Sequence, residues 1–138
     1  MNRIFLSSPH MGGGEKKYIQ EAFENNWIAP LGSNVDGLER DLVNYNNIKG
    51  ASVVNSGTSA IHLALRMYEV SSDDIVFCST LTFVATTNPI IYQGAEPVFI
   101  DSEPETWNMS PEALRRAFEA YEAQGKLPKA VRSEEHTS

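Results

Sequence analysis

Asn55–Leu65 reads NSGTSAIHLAL and joins a small polar turn to the start of an amphipathic segment. A short β-branched run, Ala51–Asn55, precedes the turn SGTS at residues 56–59. Apolar residues then recur at helical spacing, so the stretch is predicted to be a strand, a turn and a helix. The first N–H groups of a helix have no intrahelical partner and lie at the positive end of its dipole, which favours an anion, above all a phosphate.

Two interpretations of this turn stay open on the residues alone. Gly57 lets a ligand approach the backbone closely, and the hydroxyls of Ser56, Thr58 and Ser59 add hydrogen-bond donors. The turn would then hold a phosphate. In the alternative, Ser56 only caps the helix. His62, about one turn further along, is expected to be a packed or surface histidine rather than a catalytic one.

The composition is that of an ordinary globular protein. The chain has 138 residues, of which 41% are hydrophobic and 21% charged, which suggests one domain or part of one. No apolar run reaches the roughly 18 residues that a membrane span needs, and the start lacks the apolar core of a signal peptide. A cytoplasmic protein without a membrane partner is expected. The net charge of −7 argues against a broad nucleic-acid surface.

The first part of the chain is predicted to be a short strand followed by two helices. The strand covers Arg3–Leu6, and three glycines at residues 12–14 lack the spacing of a dinucleotide-binding loop. The first helix is predicted over Glu15–Asn25, and the second begins after Asn34 as its cap.

The loop between these two helices carries a large aromatic residue. It contains Trp27, Pro30 and Gly32, which indicate a specific loop rather than a flexible linker. Trp27 fits a binding element and a core plug equally well.

From Ala51 onward, strands and helices are predicted to alternate. Strand Ala51–Asn55 leads into a helix through Tyr68; the segments that follow are strand Ile75–Cys78, a helical segment over Phe83–Tyr92, strand Pro97–Ile100, and a helix from Pro111, capped by Ser110, to about Ala123. Alternation of this kind predicts an α/β fold with a mainly parallel sheet flanked by helices on both faces. The strand ends, at residues 55–58, 79–83 and 101–102, should lie along one sheet edge, where ligands bind.

Two residues in this half need separate comment. Pro89 removes a hydrogen bond inside the segment Phe83–Tyr92, so we expect a kink there or a helix that restarts with Asn88 as its cap. The single cysteine, Cys78, lies in the apolar run IVFC and is expected to be a buried small residue.

Three motifs together resemble one enzyme family. They are NWIAPLGSNVDGLERDL at residues 26–42, NSGTSAIHLAL at 55–65, and TLTFVATTNPIIYQGAEPVFIDSEPETWNMSPEAL at 80–114. In this order and at these separations they closely resemble the pyridoxal-phosphate-dependent sugar aminotransferases of the DegT/DnrJ/EryC1/StrS family, from Ile4 to about Ala123. The resemblance implies the N-terminal part of the large domain of an aspartate-aminotransferase-like (fold type I) enzyme.

The resemblance also implies roles for individual residues. Gly57 and Thr58 correspond to the turn that holds the phosphate of pyridoxal 5′-phosphate, with Ser59 as a helper. Phe83 corresponds to the aromatic residue that stacks on the pyridine ring, whereas without the resemblance it is a core residue. Asp101 is expected to be structural or to lie on the substrate side. The loop with Trp27 is expected near the sugar-nucleotide pocket. No metal site is predicted.

Amino transfer with this cofactor needs a lysine that bonds to it. None of the chain's lysines lies in a context like the family's Schiff-base segment, and no catalytic residue is assigned; the lysines are Lys16, Lys17, Lys49, Lys126 and Lys129. Family members are also far longer. We therefore expect residues 1–131 to be an N-terminal segment and a partial cofactor-binding domain that is inactive alone, binds the cofactor weakly or not at all, and is poorly soluble.

The last seven residues, RSEEHTS, suggest an artefact. AGATCGGAAGAGCACACGTCT, the start of a common short-read sequencing adapter, translates to the same residues. We expect residues 132–138 to be an adapter-derived tail; the alternative is a polar, disordered C-terminus.

The parent enzyme is predicted to transfer an amino group from an amino acid such as glutamate to a keto group of a nucleotide-linked sugar for surface polysaccharide or glycan biosynthesis. The resemblance implies a homodimer with an active site built across two subunits. Alternatives are a sugar dehydratase or a non-catalytic relative of the same family, and a nucleotide-binding Rossmann-like module. The last of these lacks its glycine fingerprint here.

Overall fold

The computed structural model describes residues 9–29 and 31–134, in which the chain divides after Val53 into two compact units. The predicted strand Arg3–Leu6, residue Pro30 and the last four residues of the expected tail lie outside the described residues. Within the described part, no helix has both the length and the apolar character needed to cross a membrane.

The first unit contains two helices, α1 over Glu15–Glu24 and α2 over Ser33–Asn46. The prediction that Asn34 caps α2 is wrong, because the helix already begins at Ser33 after Gly32. The Asn34 side chain instead donates a hydrogen bond to the carbonyl of Tyr18 at 3.2 Å. A side-chain amide that bonds to another helix is not available to cap its own.

The second unit is a three-stranded parallel sheet flanked by helices. Its elements are α3 over Gly57–Met67, β1 over Ile75–Ser79, α4 over Asn88–Tyr92, β2 over Glu96–Ile100, α5 over Pro111–Glu122 and β3 over Ala130–Arg132. The strand order is β2-β1-β3, with both pairings parallel, which confirms the predicted α/β class and the mainly parallel sheet.

Helices cover both faces of β1, as its continuous apolar run predicts. Val76 and Cys78 pack with Leu65 of α3 and Ile90 of α4 on one face. On the other face, Phe77 packs against α5, with its ring edge to face on two aromatic rings of that helix, Phe118 at 5.2 Å and Tyr121 at 5.4 Å between centroids. Cys78 is fully buried, as predicted, and burial raises the pKa of its thiol.

The predicted strand Ala51–Asn55 is wrong, since no strand is assigned there. A strand forms when its backbone groups pair with a neighbouring strand. The N–H of Val53 instead donates to a carboxylate oxygen of Glu39 at 2.9 Å. A β-branched composition favours a strand but does not provide a neighbouring strand for it to pair with.

The segment around Pro89 restarts as a helix, as one of the two expected outcomes. A 3-10 turn over Val84–Thr86 is followed by α4, in which Pro89 occupies the first turn. The cap is Thr87 rather than Asn88, because the helix begins one residue earlier than predicted. Proline is tolerated in a first turn, where its missing N–H would have no intrahelical partner.

Strand β3 is absent from the sequence prediction. Its last residue, Arg132, lies in register with Cys78 of β1, and the backbone N–H of Glu134 donates to the Ser79 hydroxyl at 3.1 Å. The first residues of the expected tail therefore lie against the sheet in this structure. The proposed division at residue 131 stays a prediction.

Candidate cofactor-phosphate site

The turn that begins α3 has the cap predicted from the sequence. Ser56 is extended, with φ −160° and ψ 155°, and its Oγ accepts the backbone N–H of Ser59 at 3.1 Å. Its carbonyl accepts the N–H of Ala60 at 3.1 Å. The cap therefore satisfies the backbone N–H of the third helical residue and leaves those of the first two.

Gly57 and Thr58 supply these two remaining N–H groups. Neither has a hydrogen-bond acceptor within the described part of the chain. A Cβ built on Gly57 would meet no atom within 4 Å, so the space beside the first turn is open. The start of α3 thus offers two unpaired donors next to a volume that a ligand atom can enter.

The charge at the start of α3 also favours an anion. Among the described helices of ten residues or more, α3 is the one without an acidic residue in its first turn; the others contain Glu15, Asp36 and Glu112. At α1 the carboxylate of Glu15 accepts the N–H groups of Gly12 and Gly13, the latter at 2.7 Å, and the backbone N–H bonds it receives lower its pKa. At α3 no side-chain carboxylate among the described residues competes for the free donors.

Two of the three predicted strand ends lie together. The N–H of Thr80, after β1, donates to the carbonyl of Ile100 in β2 at 3.1 Å, and the Thr80 hydroxyl lies 3.5 Å from a carboxylate oxygen of Asp101. Asp101 also accepts the N–H of Ser102 at 2.9 Å. The main-chain bond between Thr80 and Ile100 therefore joins the two strand ends, and the local bond of Asp101 to Ser102 is compatible with its predicted structural role. The turn at Gly57 belongs to α3, which packs against the 3-10 turn and α4.

Phe83 lies immediately before that 3-10 turn and exposes 82% of its surface. The alternative prediction for Phe83, a core residue, is therefore wrong. Its carbonyl accepts the N–H of Thr86 at 2.9 Å, and the hydroxyls of Thr82 and Thr86 lie 2.7 Å apart. The turn is fixed by these bonds while the ring has no aromatic partner among the described residues. Its open face fits a stacking role for a planar group.

The Trp27 loop is described within the first unit alone. A Cβ on Gly32, whose φ is 157°, would lie 3.1 Å from Cβ and Cγ of Trp27, so the indole packs directly on the glycine backbone. Trp27 is half-buried, whereas Ile28 and Leu31 beside it are exposed. The indole therefore packs within its own loop, and the loop presents other apolar side chains.

His62 packs against a neighbouring ring in the second unit, and its non-catalytic role stays a prediction. Its ring lies edge to face against Tyr92, with centroids 5.7 Å apart. The contact joins α3 to α4 and helps fix the helix whose first turn carries the candidate site.

Comparison with known proteins identifies the family. The sequence model of the DegT/DnrJ/EryC1/StrS aminotransferase family matches residues 9–130. This chain belongs to that family. It is 60% identical over 129 residues, 94% of its length, to EpsN of Bacillus subtilis (strain 168), described as a candidate pyridoxal phosphate-dependent aminotransferase. It is 39% identical over 110 residues, 80% of its length, to GDP-perosamine synthase of Escherichia coli O157:H7.

The solved structure of a similar protein contains the same fold. Spr1654 of Streptococcus pneumoniae, described as a candidate sugar aminotransferase and solved in its PMP form, superposes with a TM-score of 0.74 at 30% identity, over 84% of this chain and 29% of that one. The chain covers 33% of EpsN and 30% of the GDP-perosamine synthase, so it spans about a third of the curated relatives it matches. The predicted family and fold type are confirmed.

Sequence reasoning missed the contribution of Asn55 to the turn. The hydroxyl of Ser59 donates to Oδ1 of Asn55 at 3.0 Å and lies 2.9 Å from the hydroxyl of Ser56. The sequence pattern predicts Asn55 as the end of a strand, a position that assigns no role to its side chain. The spacing of four residues between Asn55 and Ser59 was the available signal.

Proposed function

We propose that this chain provides the phosphate-binding part of a pyridoxal 5′-phosphate-dependent sugar aminotransferase. The observation that carries the proposal is the pair of unpaired N–H groups, of Gly57 and Thr58, at the acid-free start of α3. The Thr58 hydroxyl provides a third donor. Fixed donors at the positive end of a helix dipole suit a phosphate dianion without any rearrangement of the chain.

The remaining predicted residues act beside the phosphate. Phe83 offers an exposed ring face at the start of the 3-10 turn that packs on α3. We assign it to the pyridine ring of the cofactor, and Ser59 to the support of the phosphate turn. When bound, the cofactor supplies an electron sink for the transfer of an amino group.

The proposed reaction of the parent enzyme follows from the family and from its named relatives. These include GDP-perosamine synthase and dTDP-4-dehydro-2,3,6-trideoxy-D-glucose 4-aminotransferase, whose names specify nucleotide-linked sugars. We assign to the parent enzyme the transfer of an amino group from an amino acid, glutamate in the first instance, to a keto group of such a sugar, in a cytoplasmic homodimer. The lysine that this chemistry requires would lie in the part of the parent that this chain does not include.

A chimera tests this proposal with the chain in its proper setting. In the chimera, the residues of this chain that align with EpsN would replace the matching third of EpsN. EpsN would supply the remaining two-thirds of the protein. We expect the chimera to bind pyridoxal 5′-phosphate, to release 2-oxoglutarate from glutamate in a single turnover, and to aminate a nucleotide-linked keto sugar. The 138-residue chain alone should do neither of the last two. A folded chimera that binds pyridoxal 5′-phosphate no more tightly than pyridoxal would contradict the proposal.

A variant pair in the chimera localises the phosphate. Gly57→Ala places a methyl group in the open space beside the free N–H groups, and Gly50→Ala is its control, because a Cβ on Gly50 also meets no atom within 4 Å. We expect only Gly57→Ala to weaken the binding of pyridoxal 5′-phosphate relative to pyridoxal.

A further inference from the structure

The hydrogen bonds around Ser59 have a fixed direction. Oδ1 of Asn55 is an acceptor only, so the Ser59 hydroxyl uses its single proton in that 3.0 Å bond. The 2.9 Å bond between the two serine hydroxyls must therefore run from Ser56 to Ser59. The Ser59 N–H donates back to Ser56 Oγ at 3.1 Å, which closes the set.

This direction determines which groups are left for an anion. Both serine hydroxyl protons and the Ser59 N–H are used within the turn. Within the part of the chain that the structure describes, the donors that remain are the N–H groups of Gly57 and Thr58 and the Thr58 hydroxyl. Ser59 thus has no proton to give to a phosphate while Asn55 accepts its hydroxyl.

We propose that Asn55 is a positioning residue of the phosphate site. By accepting the Ser59 hydroxyl, it fixes the direction of the serine pair and keeps Ser56 Oγ as the acceptor that caps α3. The N–H groups of Gly57 and Thr58 are then held in place for the phosphate, and Ser59 acts through the turn rather than as a direct ligand. The inference rests on the proposed function, since it assigns a supporting residue to the same site.

Titration of the 138-residue chain with inorganic phosphate tests this role. The dissociation constant is read from the backbone amide resonances of Gly57 and Thr58 in Asn55→Ala, Ser59→Ala and the double variant. We expect each single variant to weaken phosphate binding about three- to tenfold, the effect of one hydrogen bond. The double variant should be no weaker than Ser59→Ala, because Asn55 acts through Ser59.

Ser110→Ala separates positioning from a general loss of stability. Ser110 caps α5 with the same bond that Ser56 makes at α3, from the N–H of Ala113 at 3.1 Å. This control should lower the free energy of unfolding and leave the phosphate dissociation constant unchanged. If phosphate affinity instead falls in proportion to stability in all the variants, Asn55 is merely structural.

Two further results would overturn the inference. If Asn55→Ala has no effect while Ser59→Ala weakens binding, Ser59 binds the phosphate directly. If the two effects add in the double variant, the residues act independently. Failure of the proposed function looks different, since the unaltered chain would then show no phosphate-dependent shift at Gly57 or Thr58.

The EpsN chimera provides a second measurement that does not depend on the expected poor solubility of the chain alone. There the ratio of the dissociation constants for pyridoxal and pyridoxal 5′-phosphate isolates the phosphate contribution. Asn55→Ala should lower this ratio about three- to tenfold without changing the affinity for pyridoxal. An unchanged ratio would contradict the positioning role.

Discussion

Two turns of the second unit differ in how much of a binding site each one contains. The turn at residues 55–59 carries its own cap, its own side-chain bonds and two free backbone donors. The turn at residues 82–86 is fixed by its own bonds too, but the Phe83 side chain next to it is 82% exposed. A phosphate subsite can thus be built from one turn and one helix start, whereas a flat ring needs a second surface opposite the aromatic face. Under the proposed function, this chain would contain the whole of the phosphate subsite and one side of the ring subsite.

The largest expected effect is a difference in stability between two alanine variants, one of a core phenylalanine, Phe77, and one of the candidate-site phenylalanine, Phe83. Phe77 is fully buried between β1 and α5, so Phe77→Ala should lower the free energy of unfolding by about 3–5 kcal/mol. Phe83→Ala should change it by less than about 0.5 kcal/mol, since the ring is already exposed. Urea denaturation checks both. A large loss of stability in Phe83→Ala would mean that this ring is structural and would remove the contrast between the two turns.

A new charge at the first turn should mainly affect binding. Gly57→Asp places a carboxylate beside the free N–H groups, where it occupies them and repels an anion. We expect phosphate affinity to fall at least about tenfold. Gly50→Asp adds the same charge at another open glycine and should leave phosphate affinity nearly unchanged. Equal losses in the two variants would show that only net charge matters.

Removal of the serine cap should lower the stability equally at α3 and α5, but it should weaken phosphate binding only at α3. Ser56→Ala and Ser110→Ala each remove a hydroxyl that accepts an N–H bond, so each should cost about 1 kcal/mol of stability. Only Ser56→Ala should also weaken phosphate binding. Thermal denaturation and phosphate titration measure the two effects, and a loss of binding in Ser110→Ala would argue against a local site.

A third turn shows what happens when a carboxylate of the chain occupies the donors. Glu103 accepts the hydroxyl of Thr106 and the N–H groups of Glu105 and Thr106, at 2.7 and 2.8 Å for the latter two. These bonds, that of the Thr106 hydroxyl first, lower the pKa of the Glu103 carboxyl below its ordinary value of 4.5. The stabilising effect is therefore present above that value and is lost as the pH falls through the lowered pKa.

Replacement of Glu103 tests whether its carboxylate stabilises the fold more at higher pH. Glu103→Gln should reduce the loss of stability between pH 5 and pH 3 by a small amount, measured by urea denaturation across that range. Glu105→Gln is the control, because the Glu105 side chain makes no hydrogen bond within the described residues. An unchanged acid dependence in Glu103→Gln would contradict the assignment.

Much of the fold followed from local patterns. The Ser56 and Ser110 caps, the apolar run of β1 and the restart at Pro89 depend on nearest neighbours in the chain, and the structure contains all of them. The two errors about strands have a common cause. Whether Ala51–Asn55 or Ala130–Arg132 becomes a strand depends on a partner far away in sequence, and only the second segment pairs, with β1.

The candidate site was predictable in part for the same reason. A helix start after SGT indicates free backbone donors directly, so the two unpaired N–H groups were predictable, whereas their assignment to a phosphate came from the family resemblance and stays a prediction. The direction of the bonds among Asn55, Ser56 and Ser59 depends on side-chain rotamers, which the sequence pattern does not encode. The exposure of Phe83 is likewise a property of the surrounding packing.

Amide-resolved titration of the unaltered chain with inorganic phosphate tests the central claim most directly. The account predicts weak, saturable shifts that are largest at the N–H groups of Gly57 and Thr58 and smaller at Ser59 and Ala60, whose N–H groups are already bonded to Ser56. Shifts that are absent at α3, or no larger there than at the start of α5, would contradict it.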